Sequence, residues 1–556
     1  MKRVGSVRGF LAAAIAALML ASSFDTTWTA RASSFHANVD PSLSAGEVAL
    51  VHTTAGRAGA LSLKLAGLGA VDIETFSAAD TVIARLSNQA LAWVATDPSV
   101  MVATRDIAVV AMGGGKGKSG FEDKDKDKDK NEDEDEDKDD NDTKDKDKND
   151  KDKDKNDKDK DKDKNDKDKD RDKNGNDGKD KRSIGLLAIR GPRARTTTTG
   201  GGVTVAIMDT GIAQHPDLPK GKVRARVDFV RDGNGKEDPG GHGTFIAGII
   251  AANGDLKGVA PDADLVSLRV LDANGNGTLR GVIGAFNWLL RHRAHYDIKV
   301  LNLSWGAPQA TTYHKDILSA LVESAWFSGV TVVASAGNDG PDPGSVITPA
   351  SDPFIVTVGS FDDHGTVAGG NDTLSTFTGR GPTLDGFSKP DTLAPGEYIL
   401  SLRVRGVAYL NDAGHPIGSP TDLYIHMTGT SAAAGFASGV AALLAAKHPR
   451  YSPTLIKGAI VASGRAITGS DATVIDAPNA LTRTPAKVNV GLKPSQLLLA
   501  ALTKARQLKV NGVTWEGVTW EGVTWETVTW EGVTWEGVTW EGVTWEVVTW
   551  ETVTAK

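Results

Sequence analysis

The feature that most constrains this chain is a stretch that cannot fold. From Phe121 to Arg182, 51 of 62 residues are charged, chiefly Lys and Asp in alternation, and almost none is apolar. Such a segment has too little apolar surface to offset the conformational entropy that folding removes. It reads as a solvated, disordered linker, taken here as 113–182, which divides the 556 residues into parts that must fold separately. Its 29 acidic and 22 basic residues nearly cancel, so a loose coil is expected rather than a stiff rod. Alternating Asp imitates the start of a calcium loop, but the glycine and distal glutamate of that loop are not in register.

On the N-terminal side, Lys2, Arg3 and Arg8 precede an apolar run from Phe10 to Ala21, and Ala30-Arg31-Ala32 offers a small-x-small cleavage site. The run is too short to span a bilayer and reads as a signal peptide over 1–32, which implies secretion to the extracellular space. The chain has no cysteine. Disulfides and thiolate zinc sites are excluded, and an exported protein of this kind must be stable without covalent staples. Residues 46–112 alternate strand and helix signals: Val48–Val51, helix Ala58–Leu68, Val71–Phe76, Thr81–Leu86, helix Asn88–Thr96 and a last strand Val100–Val110. The order βαββαβ predicts a small α+β ferredoxin-like domain.

From 183 to 485 the texture changes to apolar strands separated by helical stretches. Val203–Met208, Leu265–Val270, Val300–Ser304, Val330–Ser335 and Ile355–Val358 read as buried strands, with helices at Leu279–Arg293 and His314–Ser328 between them. Alternation of this kind predicts an α/β fold, a mostly parallel sheet with helices on both faces. A connecting segment, 486–510, leads to a tail over 511–556 that repeats Val-Thr-Trp-Glu-Gly every five residues. In one flat strand an odd repeat would send successive Trp to opposite faces, whereas a solenoid with five residues per side would stack them. The net charge of −8 is misleading, because the linker and the tail contribute −7 each. The folded remainder is mildly basic, and no nucleic-acid partner is expected.

Three short stretches carry candidate chemistry. A buried strand ends at Asp209 in Met-Asp-Thr-Gly-Ile, and in open α/β sheets the carboxyl ends of strands carry the site. His242 follows two glycines and opens an apolar helix, where a histidine can act as a general base near neutral pH. Ser431 opens a helix of small residues, where its hydroxyl can act as nucleophile and its N–H can face an oxyanion. Taken singly, these residues are equally a turn aspartate, a capping histidine and an N-cap serine.

Together, in the order Asp, His, Ser, they resemble the subtilisin-like serine proteases, or subtilases. The resemblance rests on Met-Asp209-Thr-Gly-Ile, Gly-His242-Gly-Thr-Phe-Ile-Ala-Gly and Gly-Thr-Ser431-Ala-Ala-Ala-Gly, with His215-Pro-Asp-Leu, Gly258-Val-Ala-Pro and Phe377-Thr-Gly-Arg-Gly-Pro as further signatures. It implies a secreted serine endopeptidase with Asp209, His242 and Ser431 as catalytic triad and Asn338 as oxyanion-hole asparagine. It implies substrate contact through Leu303, Ser304, Trp305 and Gly306 on one side and Ala336, Gly337 and Asp339 on the other. The 46–112 domain resembles the family's inhibitory propeptide, so the chain is expected to be a self-processing zymogen, with protein or peptide substrates and its own propeptide as partners. The Trp-rich tail is a candidate for cell-surface contact.

Two departures stand out. The family's proline four residues after the serine is Gly435 here, and an insertion separates Ser401 from His426. No metal or other cofactor is expected. The family's calcium-ligand aspartate is matched by Asp217, but the loop Asn253–Lys257 is too short and too poor in side-chain oxygens for a shell of about six to eight ligands. Two rival readings are an inactive protease kept as a binding scaffold and an adhesion module that carries a protease.

Overall fold

The computed structural model describes residues 38–111 and 184–498, except 55, 235–236, 368–369 and 408–422, together with short backbone triplets in the tail from 510 to 555. The expected signal peptide, the Lys/Asp linker and most of the Ser401–His426 insertion lie outside the described residues.

The N-terminal domain is a mostly antiparallel sheet in the spatial order Asn38–Val39, Val100–Arg105, Val48–Thr53, Thr81–Arg85, Val71–Phe76. Helices Ala58–Gly67 and Asn88–Val94 complete the order βαββαβ. Alternation along the strands turns Ala49, Val51, Val82 and Ala84 toward Leu61 and Leu65 of the first helix and Val94 of the second. One expectation is corrected here. The final strand does not run unbroken to Val110. It stops at Arg105, and a separate strand, Ala108–Ala111, leaves the domain. Asp106 lies in the break, and its Oδ1 accepts the backbone N–H of Arg280 (2.9 Å) at the start of a helix in the larger domain. A residue committed to that cap cannot stay in the small sheet.

The larger domain is built on a sheet in the order 465–467, 470–474, 392–395, 356–362, 331–335, 298–303, 204–209, 264–269, 223–228. From 470–474 onward every neighbouring pair is parallel. The central strands Thr204–Asp209 and Thr331–Ser335 are buried along their whole length, as covered faces demand. Residues 486–498, expected as part of a connector, pack on this domain. Leu497 and Leu498 are buried, and the Ser495 N–H donates to Glu323 Oε1 and Oε2 (2.9 and 2.8 Å).

In the tail each Thr-Trp-Glu triplet is a short strand. Thr514–Glu516 pairs in parallel with Thr534–Glu536, and the following triplets likewise find partners four repeats on. Trp515 therefore lies opposite Trp535, and Trp520 opposite Trp540. The pairings fall into separate sheets, so the tryptophans occupy four register columns, not one. Each triplet and its partner thus stand four repeats apart in sequence.

Candidate active site

Asp209 is the last residue of a strand paired on both sides, in register with Arg269, while its neighbour Met208 pairs with Leu303. The strand pairing fixes its backbone, and the side chain projects beyond the sheet edge. The turn after it brings the chain against the helix His242–Ala251. A Cβ on Gly243 would lie 2.1 Å from Gly211 O and 3.2 Å from Asp209 Cβ. Only glycine lets the helix end approach the aspartate so closely. The result is a buried pair: His242 Nδ1 lies 2.8 Å from Asp209 Oδ1 and 3.0 Å from Oδ2, with both side chains fully enclosed.

Asp238 holds the mouth of this helix, and sequence reasoning missed it. Its Oδ1 accepts Thr210 Oγ1–H (2.7 Å) and Gly241 N–H (2.6 Å), and its Oδ2 accepts Thr244 N–H (2.8 Å) and Thr244 Oγ1–H (2.5 Å). Burial pushes its carboxyl pKa up, against the pull of these donors. Thr210 completes the link: its N–H donates to Asp209 Oδ1 (2.7 Å), and its Oγ1 accepts Gly243 N–H (2.9 Å). The signal was present in the sequence as an aspartate shortly before the helix and a threonine in its first turn, the residue types that cap helix starts.

Ser431 lies in the first turn of the long helix Thr430–Lys447. Gly429 caps it at φ 156°, ψ 158°, a backbone region that only glycine occupies readily. Asn338 is bound to this helix end, with its Oδ1 accepting Thr430 N–H (3.0 Å) and Thr430 Oγ1–H (2.9 Å). Ser431 Oγ–H donates to the Ser304 carbonyl (3.1 Å), and Ser304 Oγ–H donates to the Ser431 carbonyl (3.2 Å). Behind Ser304, Asn302 Nδ2 donates to Ser304 Oγ (2.9 Å) and its Oδ1 accepts Ser438 Oγ–H (2.8 Å). Asn302, another residue the motifs did not flag, thus connects the central strand to the serine helix. The helices of His242 and Ser431 pack directly, and a Cβ on Gly435 would come within 3.2 Å of Ile249 Cγ2. Gly435 therefore serves close helix packing, and the helix continues through it without a break.

The remaining candidates divide into two walls. Trp305–Gly306 forms a short strand, and Trp305 Nε1–H donates to the Met208 carbonyl (2.8 Å) beside Asp209. On the other side, Ala336 is buried, Gly337 takes φ 103°, and Asp339 is half-buried beyond Asn338. Leu303 departs from expectation. It is buried and paired on both sides, with Met208 and Ala334, so the open edge starts only at Ser304.

That edge is occupied. Ala108–Ala111 runs antiparallel to it, with Ala111 opposite Trp305 and Val110 opposite Gly306, and pairs on its other side with Asn276–Thr278. The Ala111 N–H donates to Gly275 O (2.8 Å), and Val109 is fully buried. Away from the cleft, the N-terminal domain touches the helix Leu279–His292. Glu74 pairs with Arg280, the Ala78 N–H donates to Asn287 Oδ1 (2.8 Å), and a Cβ on Gly284 would lie 3.4 Å from Phe76 Cε1.

The family profile described as the Subtilase family matches residues 200–483. The chain belongs to the subtilase family. Serine protease AprX of Bacillus subtilis (strain 168) is 37% identical over 273 residues, 47% of this chain and 61% of the relative. M-protease of Shouchella clausii (strain KSM-K16) is 33% identical over 277 residues, 49% of this chain and 62% of the relative. Subtilisin Savinase of Lederbergia lenta is 33% identical over 277 residues, 87% of its own length. The chain thus spans less than two thirds of the first two relatives. The subtilase sheet and its site motifs fall inside the matched span, and the N-terminal domain, the linker and the tail fall outside it.

Proposed function

We propose that this chain is a serine endopeptidase that cleaves peptide bonds through an acyl-enzyme. The observation that carries the reading is the buried Asp209–His242 pair set in the same small region as Ser431 and Asn338, through Met208, Leu303 and Ser304. Ser431 Oγ attacks the peptide carbonyl, His242 takes its proton and returns it to the leaving amine, and Asp209 holds the imidazole tautomer and steadies the charged ring. Holding Asn338 through its Oδ1 leaves its NH2 to serve the tetrahedral oxyanion together with the Ser431 N–H. Substrate backbone adds as a strand to Trp305–Gly306. Fluorophosphonate labelling tests the reading: an active Ser431 labels, and an inactive scaffold does not.

The chain is also proposed to be a secreted, self-processing zymogen whose N-terminal domain is its inhibitor. Support comes from Ala108–Ala111, which occupies the same edge that a substrate would use. Cleavage is placed just beyond it, near Met112, leaving the Lys/Asp linker on the mature enzyme. Wild type and Ser431→Ala expressed side by side in a protease-deficient host test this by N-terminal sequencing. Only wild type is expected to be cut there, and equal processing of the variant overturns self-cleavage. Surface contact through the Trp-rich tail stands as a proposal carried by its composition alone.

At Asp217 the donor set does not fit calcium. Its Oδ1 accepts Asp255 N–H (3.0 Å), and its Oδ2 accepts Leu256 N–H (2.9 Å) and Tyr424 O–H (2.8 Å). A carboxylate filled by three hydrogen-bond donors has little to offer a cation. Burial and Asp217 together push the Tyr424 hydroxyl pKa up, so it remains a donor at neutral pH. Among the described residues no group of three or more His, Asp or Glu is placed to hold a metal ion. We propose that the folded enzyme does not depend on calcium at this position.

A further inference from the structure

Every strand of the tail pairs with another strand of the tail. Thr514–Glu516 lies parallel to Thr534–Glu536, residue for residue, and the next three triplets meet Thr539–Glu541, Thr544–Glu546 and Thr549–Glu551 in the same way. Two triplets are flanked on both sides. Thr529–Glu531 stands between Val510–Asn511 and Thr549–Glu551, and Thr534–Glu536 between Thr514–Glu516 and Thr554–Ala555. Among the described residues every other tail strand has a neighbour on one side only. In each sheet the strand that comes first in the chain leaves one edge unpaired, and the strand that comes last leaves the opposite one.

An unpaired edge is a row of N–H and C=O groups ready to template another strand. Four times over, this chain shows what such an edge accepts: Thr-Trp-Glu, parallel and in register. A second copy of the chain brings the same triplets. Identical segments stacked in parallel register carry the ladder from chain to chain. We infer that the tail is a self-assembly module in which the first strands of one copy add to the last strands of another. The two edges are different surfaces, so the contact is heterologous and extends into rows instead of closing on a pair. The inference does not rest on the endopeptidase reading.

The same register also limits the strength of the contact. It sets Trp515 beside Trp535 and Glu516 beside Glu536, on neighbouring strands about 4.8 Å apart. Aromatic neighbours favour strand pairing, and like charges oppose it. Each junction between copies adds further Glu beside Glu, so salt should tighten the assembly by screening.

Sedimentation velocity over a range of concentrations tests this on the full chain carrying Ser431→Ala, which guards the tail against self-digestion. Mass is expected to rise with concentration, and association to tighten at least about 3-fold between about 50 and about 500 mM salt. A chain ended after Lys509 should stay monomeric. Glu521→Lys with Glu526→Lys places cations on edge strands, and should tighten association at least about 5-fold at low salt and make added salt weaken it. Glu531→Lys with Glu536→Lys changes the net charge equally on strands already flanked on both sides, and should keep the parent's direction of salt dependence. A full chain that stays monomeric, equal association by the shortened chain, loosening of the parent by salt, or identical behaviour of the two double variants each overturns the inference. So does a monomer whose tail instead holds it to a polysaccharide resin or a lipid vesicle, which gives the edges to a foreign partner. If a double variant loses the tail's β signal by circular dichroism, the shortened chain and the parent's salt dependence still decide.

Discussion

Asp238 and Glu74 are both carboxylates that hold two parts of the molecule together, at very different depths. Asp238 is 1% exposed and satisfied by four donors from its own domain, all neutral N–H and O–H groups. Glu74 is 30% exposed and pairs with Arg280, and more distantly with Arg231, across the boundary between domains. Salt scarcely screens the first set, and breaking it strands a buried acceptor. The second set competes with water and contributes about 0–1 kcal/mol per pair. The molecule thus uses enclosed, uncharged donors at the mouth of the His242 helix, and exposed charge pairs with a four-residue strand where the two domains meet.

The largest test of this contrast is at the site itself. Ser431→Ala should lower kcat about 10⁶-fold, a scale taken from the same deletion in subtilisin, with the fold unchanged by circular dichroism. Asn338→Ala should cost about 10²–10³ in kcat, again subtilisin's own scale, with KM little changed. A large KM effect instead would mean that Asn338 holds substrate and not the oxyanion.

The N-terminal domain should carry the next effect, with two opposing titrations. Burial pushes His52 down to about 4 from 6.5 and Asp80 up to about 6 from 3.8. Between pH 6.5 and 4 the unfolded domain binds a proton at His52 that the folded one refuses, so acid weakens the domain there. Between pH 6 and 4 the folded domain holds a proton at Asp80 that the unfolded one releases, so acid strengthens it. Each term is worth up to about 3 kcal/mol, and the two nearly offset. On a Ser431→Ala background, Asp80→Asn should make the domain susceptible to added protease as pH falls below 6, and His52→Gln should make it more acid-resistant than the parent. Identical pH profiles for the two variants would sink this account.

Smaller still, Arg280→Ala should hasten release of the N-terminal domain by no more than about 5-fold, and the gain should shrink in high salt, as befits an exposed pair. Smallest of all, EDTA should move Tm by less than about 2 °C, because donors from the chain already fill Asp217. Calorimetry with and without calcium reads this directly, and Tyr424→Phe should lower Tm without making it calcium-dependent.

The parts legible in the sequence were those with a local signature. Asp209, His242 and Ser431 each sit beside glycines or small residues that only a close approach requires, so short motifs revealed them. Strand and helix alternation likewise showed the parallel sheet. Asn302 was missed because its role depends on a partner distant in sequence, Ser438, 136 residues away. Asp238 had a local signature in Gly241 and Thr244 that went unread, and only its link to Thr210, 28 residues away, was hidden. The break at Asp106 was hidden for the same reason, since the group that ends the strand is the Arg280 N–H, 174 residues away. The tail's period of five was plain, but the spacing of paired triplets was not, because a repeat length does not fix how many repeats separate a strand from its partner.

The pairing of each tail triplet with the one four repeats on has a genetic consequence. Neighbouring repeats in sequence never need to match each other, and all repeats present the same strand to whichever partner arrives. Replication slippage that adds or drops a pentapeptide therefore adds or removes one Thr-Trp-Glu triplet while the inner triplets still meet identical partners. In the peptidase domain, by contrast, each strand has its own fixed partners, and no residue can be added to one without shifting its register.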